Sequence, residues 1–230
     1  MFLNSVVALS ARSVWVAGVS RNAPLVEHWD GSQWNQMPLP AAFNASVLDT
    51  LAALAPDDIW AAGSVLNHQG LVTLPFFAHW NGQQWKRVPA AGAGDGTFSR
   101  IVAHGPDDIW AVGAMDTGLT PTGTPRASIE HWDGIRWSAV GGLQFDNSRL
   151  VGALEISPQN VWAVGSMGAG DYQQVLIEHW DGYSWKIIAQ HPTVSGYLLK
   201  VAQVGGRIWA TGSIINVTHL NVTGTLLETC

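Results

Sequence analysis

Four histidines recur at one motif position, His28, His79, His131 and His179, at steps of 51, 52 and 48 residues. Imidazoles at a regular interval invite a metal-ring reading, because neutral histidine is a common ligand for zinc and copper. The paired acids Asp57-Asp58 and Asp107-Asp108 invite a catalytic dyad or a calcium site. Geometry weakens both. Each histidine falls on the third strand of its own unit, about 10 Å beyond the first at roughly 4.8 Å per strand. Metal–nitrogen bonds are about 2 Å, so the expectation is a half-buried imidazole hydrogen-bonded within its own unit, with no metal. The acid pairs follow a proline in a turn, where Asp bonds nearby backbone N–H groups. Gln159-Asn160 and Ser13 fill the equivalent slots, which suits turn chemistry better than catalysis. Glu27, Glu130 and Glu178 beside the histidines are expected on the opposite strand face.

Other chemistry is excluded more simply. No EF-hand, phosphate loop, zinc signature or GxSxG element occurs, and no cofactor is expected. The one cysteine, Cys230, allows no internal disulfide and no zinc cluster. A net charge of −6, with eleven scattered basic residues, argues against a nucleic-acid partner, which needs clustered Lys and Arg. No apolar run approaches the roughly 18 residues of a membrane span. The N-terminal stretch has no basic region and too short an apolar core for a signal peptide; it aligns with Phe98 to Asp108, a later opening strand. The sequons at Asn44, Asn216 and Asn221 matter only on a eukaryotic secretory route.

The elements that carry these residues repeat. EHWDGSQW (Glu27 to Trp34), AHWNGQQW (Ala78 to Trp85), EHWDGIRW (Glu130 to Trp137) and EHWDGYSW (Glu178 to Trp185) alternate with VWVAG, IWAAG, IWAVG, VWAVG and IWATG, starting at residues 14, 59, 109, 161 and 208. Such self-similarity marks units that bury their apolar faces against their neighbours. In the second repeat, strands are expected at Val47–Ala55, Asp58–Val65, Leu74–Trp80 and Gln83–Pro89, bounded by Pro, Gly, Asn and Asp. The Asp-Gly or Asn-Gly pairs are expected as tight hairpin turns with both residues at positive φ. No helical periodicity is sustained, so the chain is expected to be all-β. Four-stranded antiparallel units of about 50 residues fit a β-propeller, in which three tryptophans per repeat hold neighbouring units together.

The repeat resembles the kelch-type propeller unit of the galactose-oxidase superfamily. It is closer still to bacterial propellers with the form DxWAVG…EHWDGxxW. The resemblance spans essentially the whole chain and implies an extracellular or cell-envelope protein. It departs from kelch where Val19, Ser64, Ala114, Ser166 and Ser213 replace the second glycine. The copper-radical oxidase site of that superfamily is not expected, because three tyrosines and a terminal cysteine cannot build it. One propeller domain is expected over residues 1–230, with blades near 3–40, 46–90, 97–141, 148–190 and a partial 196–230. In the last, Thr229 and Cys230 are expected in the His and Trp positions and a fourth strand is missing, pointing to an incomplete ring, a fragment of a larger propeller of six to eight blades with self-association through open blade edges; the alternative is a compact five-bladed ring with a short last blade.

Loop lengths select a face. From hairpin Trp to the next repeat's Trp the spacing is 26, 25, 25 and 24 residues; from second-strand Trp to third-strand Trp it is 14, 20, 22 and 18. Variation concentrates between second and third strands, on the end that also carries the connections between units, and variable loops on a rigid scaffold are where binding residues lie. The candidate residues are Arg21, Asn22, Asn67, His68, Gln69, Asp116, Thr117, Arg126, Asp171, Tyr172 and Tyr197, with Thr120, His219, Asn44, Asp95, Phe98, Asp146 and Asn147 beside them. The expected function is non-catalytic recognition of a protein or other macromolecule. The alternatives are a carbohydrate-binding propeller, with Tyr172, Tyr197 or Phe98 stacking a sugar, and part of a larger hydrolase or lyase.

Overall fold

The computed structural model describes residues 1–21, 23–66, 72–92, 94–116, 124–141, 145–168, 173–189, 195–215 and 222–229. It is all-β apart from one 3-10 turn, Ala41–Phe43. The first sheet orders β1 (Phe2–Ser10), β2 (Ser13–Ser20), β3 (Ala23–Trp29) and β4 (Trp34–Gln36). The second orders β5 (Ser46–Ala55), β6 (Asp58–Leu66), β7 (Val72–Trp80) and β8 (Trp85–Pro89). The third holds β9 (Asp95–Gly105), β10 (Asp108–Asp116), β11 (Arg126–Trp132) and β12 (Trp137–Ala139). The fourth holds β13 (Ser148–Ser157), β14 (Asn160–Met167), β15 (Gln174–Trp180) and β16 (Trp185–Ala189). A fifth has three strands, β17 (Gly196–Val204), β18 (Arg207–Ile215) and β19 (Val222–Thr229). All are antiparallel with sequential neighbours paired, as short connections favour.

The repeated glycine after the Trp-containing strand has a steric cause. The first strand bulges at Leu3/Ser5, Leu48/Thr50, Leu150/Gly152 and Leu198/Lys200. The bulge drives a carbonyl onto the facing glycine, so that a Cβ on Gly63 would stand 1.9 Å from Val47 O, and one on Gly165 or Gly212 equally close to its own neighbour. Only glycine admits that approach.

The chain divides into two compact units, residues 1–111 with 130–139, and residues 112–129 with 140–230. In the first, Trp15, Val26, Leu48, Leu51, Phe76, Trp80 and Trp85 share one core. Trp15 of β2 meets Trp80 and Trp85 of the next sheet at 5.8 and 6.2 Å, and Trp60 meets Trp132 and Trp137 at 4.8 and 5.8 Å. The expected role of the tryptophans in sheet-to-sheet packing is therefore seen within this unit. In the second unit Trp162, Val164, Val175 and Ile177 pack with Leu198, Ile208 and Ala210.

Two sequence expectations are corrected. The Asp-Gly hairpins are four-residue loops closed by Trp–Trp pairs, not two-residue turns. Only the glycine takes positive φ, because the Asp or Asn side chain caps the loop by accepting the N–H groups two and three residues on, the Asx arrangement. In β19, Thr229 pairs with Ile208 and Glu228 with Trp209. The fourth sheet pairs Val161 with Trp180 and Trp162 with His179. Glu228 thus occupies the His position and Thr229 the Trp position, one residue earlier than the motif alignment places them.

Candidate binding face

Each sheet has a turn end, formed by the loops β1–β2 and β3–β4 and their equivalents, and a loop end, formed by the β2–β3 loops and the connections between sheets. The turn end repeats one arrangement, complete in three blades and reduced in the first. His28, His79, His131 and His179 stack on Trp15, Trp60, Trp110 and Trp162 with ring centroids 4.2–4.4 Å apart. Each Nε2 is within hydrogen-bond distance of the residue that opens the second strand: Ser13, Asp58, Asp108 or Asn160. Asp58, Asp108 and Asn160 accept from the indole N–H of the stacked Trp as well. The second acid of each pair is therefore a two-donor clamp on side chains, a correction to the expected bond with backbone N–H groups. Burial holds His28 and His179 below the ordinary imidazole range. The third-strand Trp29, Trp80, Trp132 and Trp180 donate to carbonyls of the β1–β2 turns. No group of three metal-ligating side chains converges among the described residues.

The hairpin carboxylates share this regularity. Asp30 is held well below the usual carboxylate range by the Ser32 hydroxyl and the Gln33 and Ser32 amides. Asp181 is lowered by Lys186 and by the Ser184 and Tyr183 amides, and Asp133 by the Arg136 and Ile135 amides.

The loop end varies, and the clefts described here open there. In the second unit a cavity of about 150 Å³ is lined by Arg149, Val151, Ser166, Gln173, Tyr197 and Leu198. Its rim is fixed by the Gly196 N–H donating to Gln173 O at 2.6 Å and by the Gln174–Ser195 bridge. Arg149 is exposed and makes no salt bridge among the described residues. In the first unit a cleft of about 350 Å³ lies over Phe76, Pro75 and Pro89. Its Arg87 guanidinium sits 4.6 Å from the Phe76 ring centre and is lowered from its usual value by burial. Another of about 280 Å³ runs between Pro24, Met37, Phe43 and Asn44.

The expected site residues are distributed unevenly. Tyr197 and Asn44 line clefts. Arg126 forms an ion pair with Asp146, Nε and a terminal guanidinium nitrogen both 2.7 Å from one carboxylate oxygen, tying the start of β11 to the connection before β13. Arg21 is exposed with φ of 50°, and Asp116 ends β10, half-buried. Phe98 is fully buried and stacks on Phe77 at 4.7 Å. It is core and cannot stack a sugar, which corrects its place among the carbohydrate candidates. Asn22, Asn67, His68, Gln69, Thr117, Thr120, Asp171, Tyr172 and His219 lie outside the described residues.

Arg149, Gln173 and the Arg87–Phe76 pair were not singled out from sequence. Arg149, Arg87 and Phe76 lie within strands, where loop-length variation gives no signal, whereas Gln173 closes the β14–β15 connection, one of the variable loops. Glu130 was expected only to face away from its histidine. It is fully buried, its two carboxylate oxygens accepting the Ala91 and Gly92 N–H groups at 2.9 and 2.8 Å. Burial raises its pKa against the lowering effect of those bonds.

These sheets define a propeller-like all-β protein with Trp-rich four-stranded blades. Solved structures share the fold. YCF48 from Cyanidioschyzon merolae matches at TM-score 0.57 and 14% identity over 97% of this chain and 71% of that one. An exo-β-1,3-galactanase from Phanerochaete chrysosporium matches at 0.55 and 10% over 97% and 59%, and an ulvan lyase at 0.59 and 10% over 96% and 62%. The chain thus spans about 60–70% of the length of these structures. No family model matches it, and no curated protein does. No helix among the described residues is long and apolar enough to cross a membrane.

Proposed function

We propose that this chain is a non-catalytic recognition scaffold that binds a protein or other macromolecule through the loop end of its blades, as kelch-like bacterial propellers of the envelope or exterior would. The observation that carries the reading is the cavity bounded by Tyr197, Gln173 and Arg149, where an aromatic side chain, an amide and a guanidinium with no salt bridge among the described residues converge at one end of a sheet. Aromatic and arginine side chains are the residue types that dominate binding energetics. At the turn end, by contrast, His79, His131 and His179 are each within hydrogen-bond distance of Asp58, Asp108 and Asn160, which also accept from Trp60, Trp110 and Trp162. Affinity capture from a native extract with cross-linking mass spectrometry tests the reading. Tyr197→Ala and Arg149→Ala should each weaken capture of the same partner at least tenfold, with Asp133→Asn at the turn end unchanged. Loss only in the turn-end variant means the wrong face has been chosen, and turnover of a glycoside or polyuronate substrate panel would end the non-catalytic part.

A glycan ligand is the second reading, favoured by Tyr197 beside Gln173 in a shallow cavity of monosaccharide scale. Glycan-array hits that vanish with Tyr197→Ala would establish it over a protein partner.

A further inference from the structure

The two clefts of the first unit occupy the same place in successive sheets. Pro24 pairs with Val19 and Pro75 with Ser64, each one residue beyond the pairing of the repeated glycine, Gly18 or Gly63. On the fourth strand Gln36 pairs with Glu27 as Arg87 pairs with Ala78. Pro24, Gln36 and Pro38 therefore line the first cleft as Pro75, Arg87 and Pro89 line the second. The connection to the next sheet closes each one, through Leu39 and Phe43 in the first and Ala90 and Gly92 in the second. Both sets of walls lie within the first unit.

The clefts adjoin. Phe43 lines the first, and its ring packs edge-on to Phe76 of the second at 5.6 Å. Arg87 reaches back to 3.5 Å from Ala42 O. In the second unit the equivalent strand starts, Arg126 and Gln174, are bridged to Asp146 and Ser195 of the following connection. Each stands six residues before its third-strand Trp, as Ala23 and Leu74 do, and neither of those forms such a bridge among the described residues.

Arg87 is the only ionisable side chain lining either cleft among the described residues, and it makes no salt bridge among them. Glu130, which accepts the Ala91 and Gly92 N–H groups, is fully buried and lines neither. In a chain of net charge −6, such a cation between apolar walls favours an anionic group on the partner. A guanidinium takes a carboxylate through two parallel N–H bonds. Two similar apolar receptors side by side suit a chain offering successive side chains better than one compact ligand.

We propose that these adjoining clefts bind an extended segment of a partner protein, in which an Asp or Glu pairs with Arg87 and flanking apolar side chains enter the two clefts. The inference rests on the loop-end reading of function and adds a contact, in the first unit, with a stated partner chemistry.

Selection of a random peptide library on the full chain tests this. Enriched peptides should carry Asp or Glu between apolar residues, and their affinities are read by fluorescence polarisation. Arg87→Gln and Leu74→Glu, both at exposed positions, should each weaken binding at least about tenfold, and Pro38→Glu in the first cleft should do the same. Each variant is checked for an unchanged thermal midpoint, and Leu74→Glu carries the test if Arg87→Gln melts early. Selection on Arg87→Glu should replace the acid by Lys or Arg, while Tyr197→Ala should leave the wild-type peptides bound. Peptides lost with Tyr197→Ala but kept by Arg87→Gln overturn this site and leave the loop-end reading standing. Enrichment of basic or uncharged peptides, or no enrichment, overturns the proposal, and partner capture sensitive to Tyr197 and Arg149 would still uphold recognition there. A Pro38→Glu variant that binds like wild type overturns the two-cleft arrangement. Loss confined to Asp133→Asn overturns both readings.

Discussion

The turn end and the loop end of the blades differ in how their polar groups are used. At the turn end, Asp58 and Asp108 each hold an indole and an imidazole, and Asp30, Asn81, Asp133 and Asp181 each close their own hairpin. Repetition there means the same pair of hydrogen bonds solves the same problem in three blades, while in the first Ser13 meets the imidazole alone. At the loop end the counterparts are dissimilar: a salt bridge at Arg126, a cation over a ring at Arg87, an exposed guanidinium at Arg149. A fold can carry such variety only where the backbone hydrogen bonds are already satisfied by the sheet.

The largest effect expected is structural and belongs to the sheet both ends share. Gly63→Ala places a Cβ on the Val47 carbonyl and should cost about 4 kcal/mol or more, with the clash sited in backbone that cannot yield; urea denaturation reads it. A wild-type midpoint would mean the bulge is dispensable.

Next comes the clamp. Asp58→Ala strands two part-buried donors and should cost about 2–3 kcal/mol. Asp58→Asn keeps the accepting oxygen, as Asn160 does in the fourth blade, and should lose well under half of that. Equal losses would show that the carboxylate charge, not the acceptor, matters.

A pH-dependent difference separates Glu130 from the hairpin acids. Its folded pKa is raised by burial, so the folded state binds the proton more tightly than the unfolded chain. Its contribution is greatest below the ordinary glutamate value of 4.5 and falls as pH rises through the raised folded value. The wild-type minus Glu130→Gln difference in thermal midpoint should therefore shift against the wild type as pH rises from about 4.5 toward neutrality. Asp133 is depressed, and its contribution is lost only as pH falls below 3.8. A Glu130→Gln difference that is flat with pH would remove the burial argument.

The smallest effect lies at the loop end. Arg126→Ala removes a pair whose Asp146 is more than half exposed and should cost under about 1 kcal/mol, with any effect on partner capture exceeding that on melting. A larger loss would make this end as structural as the other.

Much of the scaffold was legible from sequence because the repeat spacing and strand alternation are local properties. The strands around Trp60 and Trp80 fall where the β-rich runs and turn residues put them, and the histidines pair within their own blades. The hairpin type was not legible, since Asp-Gly is compatible with both a two-residue turn and an Asx-capped loop. The capping bond of Asp133 to the Arg136 amide decides between them. Phe98 reads as a loop aromatic because it follows a glycine-rich connection, but it lies within β9 and stacks on a ring from the neighbouring sheet.

Composition and periodicity by themselves determined an all-β chain of repeated four-stranded units, packed through tryptophan and lacking the basic clusters of a nucleic-acid binder. Tertiary structure alone decided that Tyr197 and Arg149 line one cavity, that Glu130 reaches the Ala91 and Gly92 amides, and that Val6 is bare where Leu51 is covered. The reason is that pattern along a strand reports which side is apolar. What faces that side is set by residues about 40 to 50 positions away.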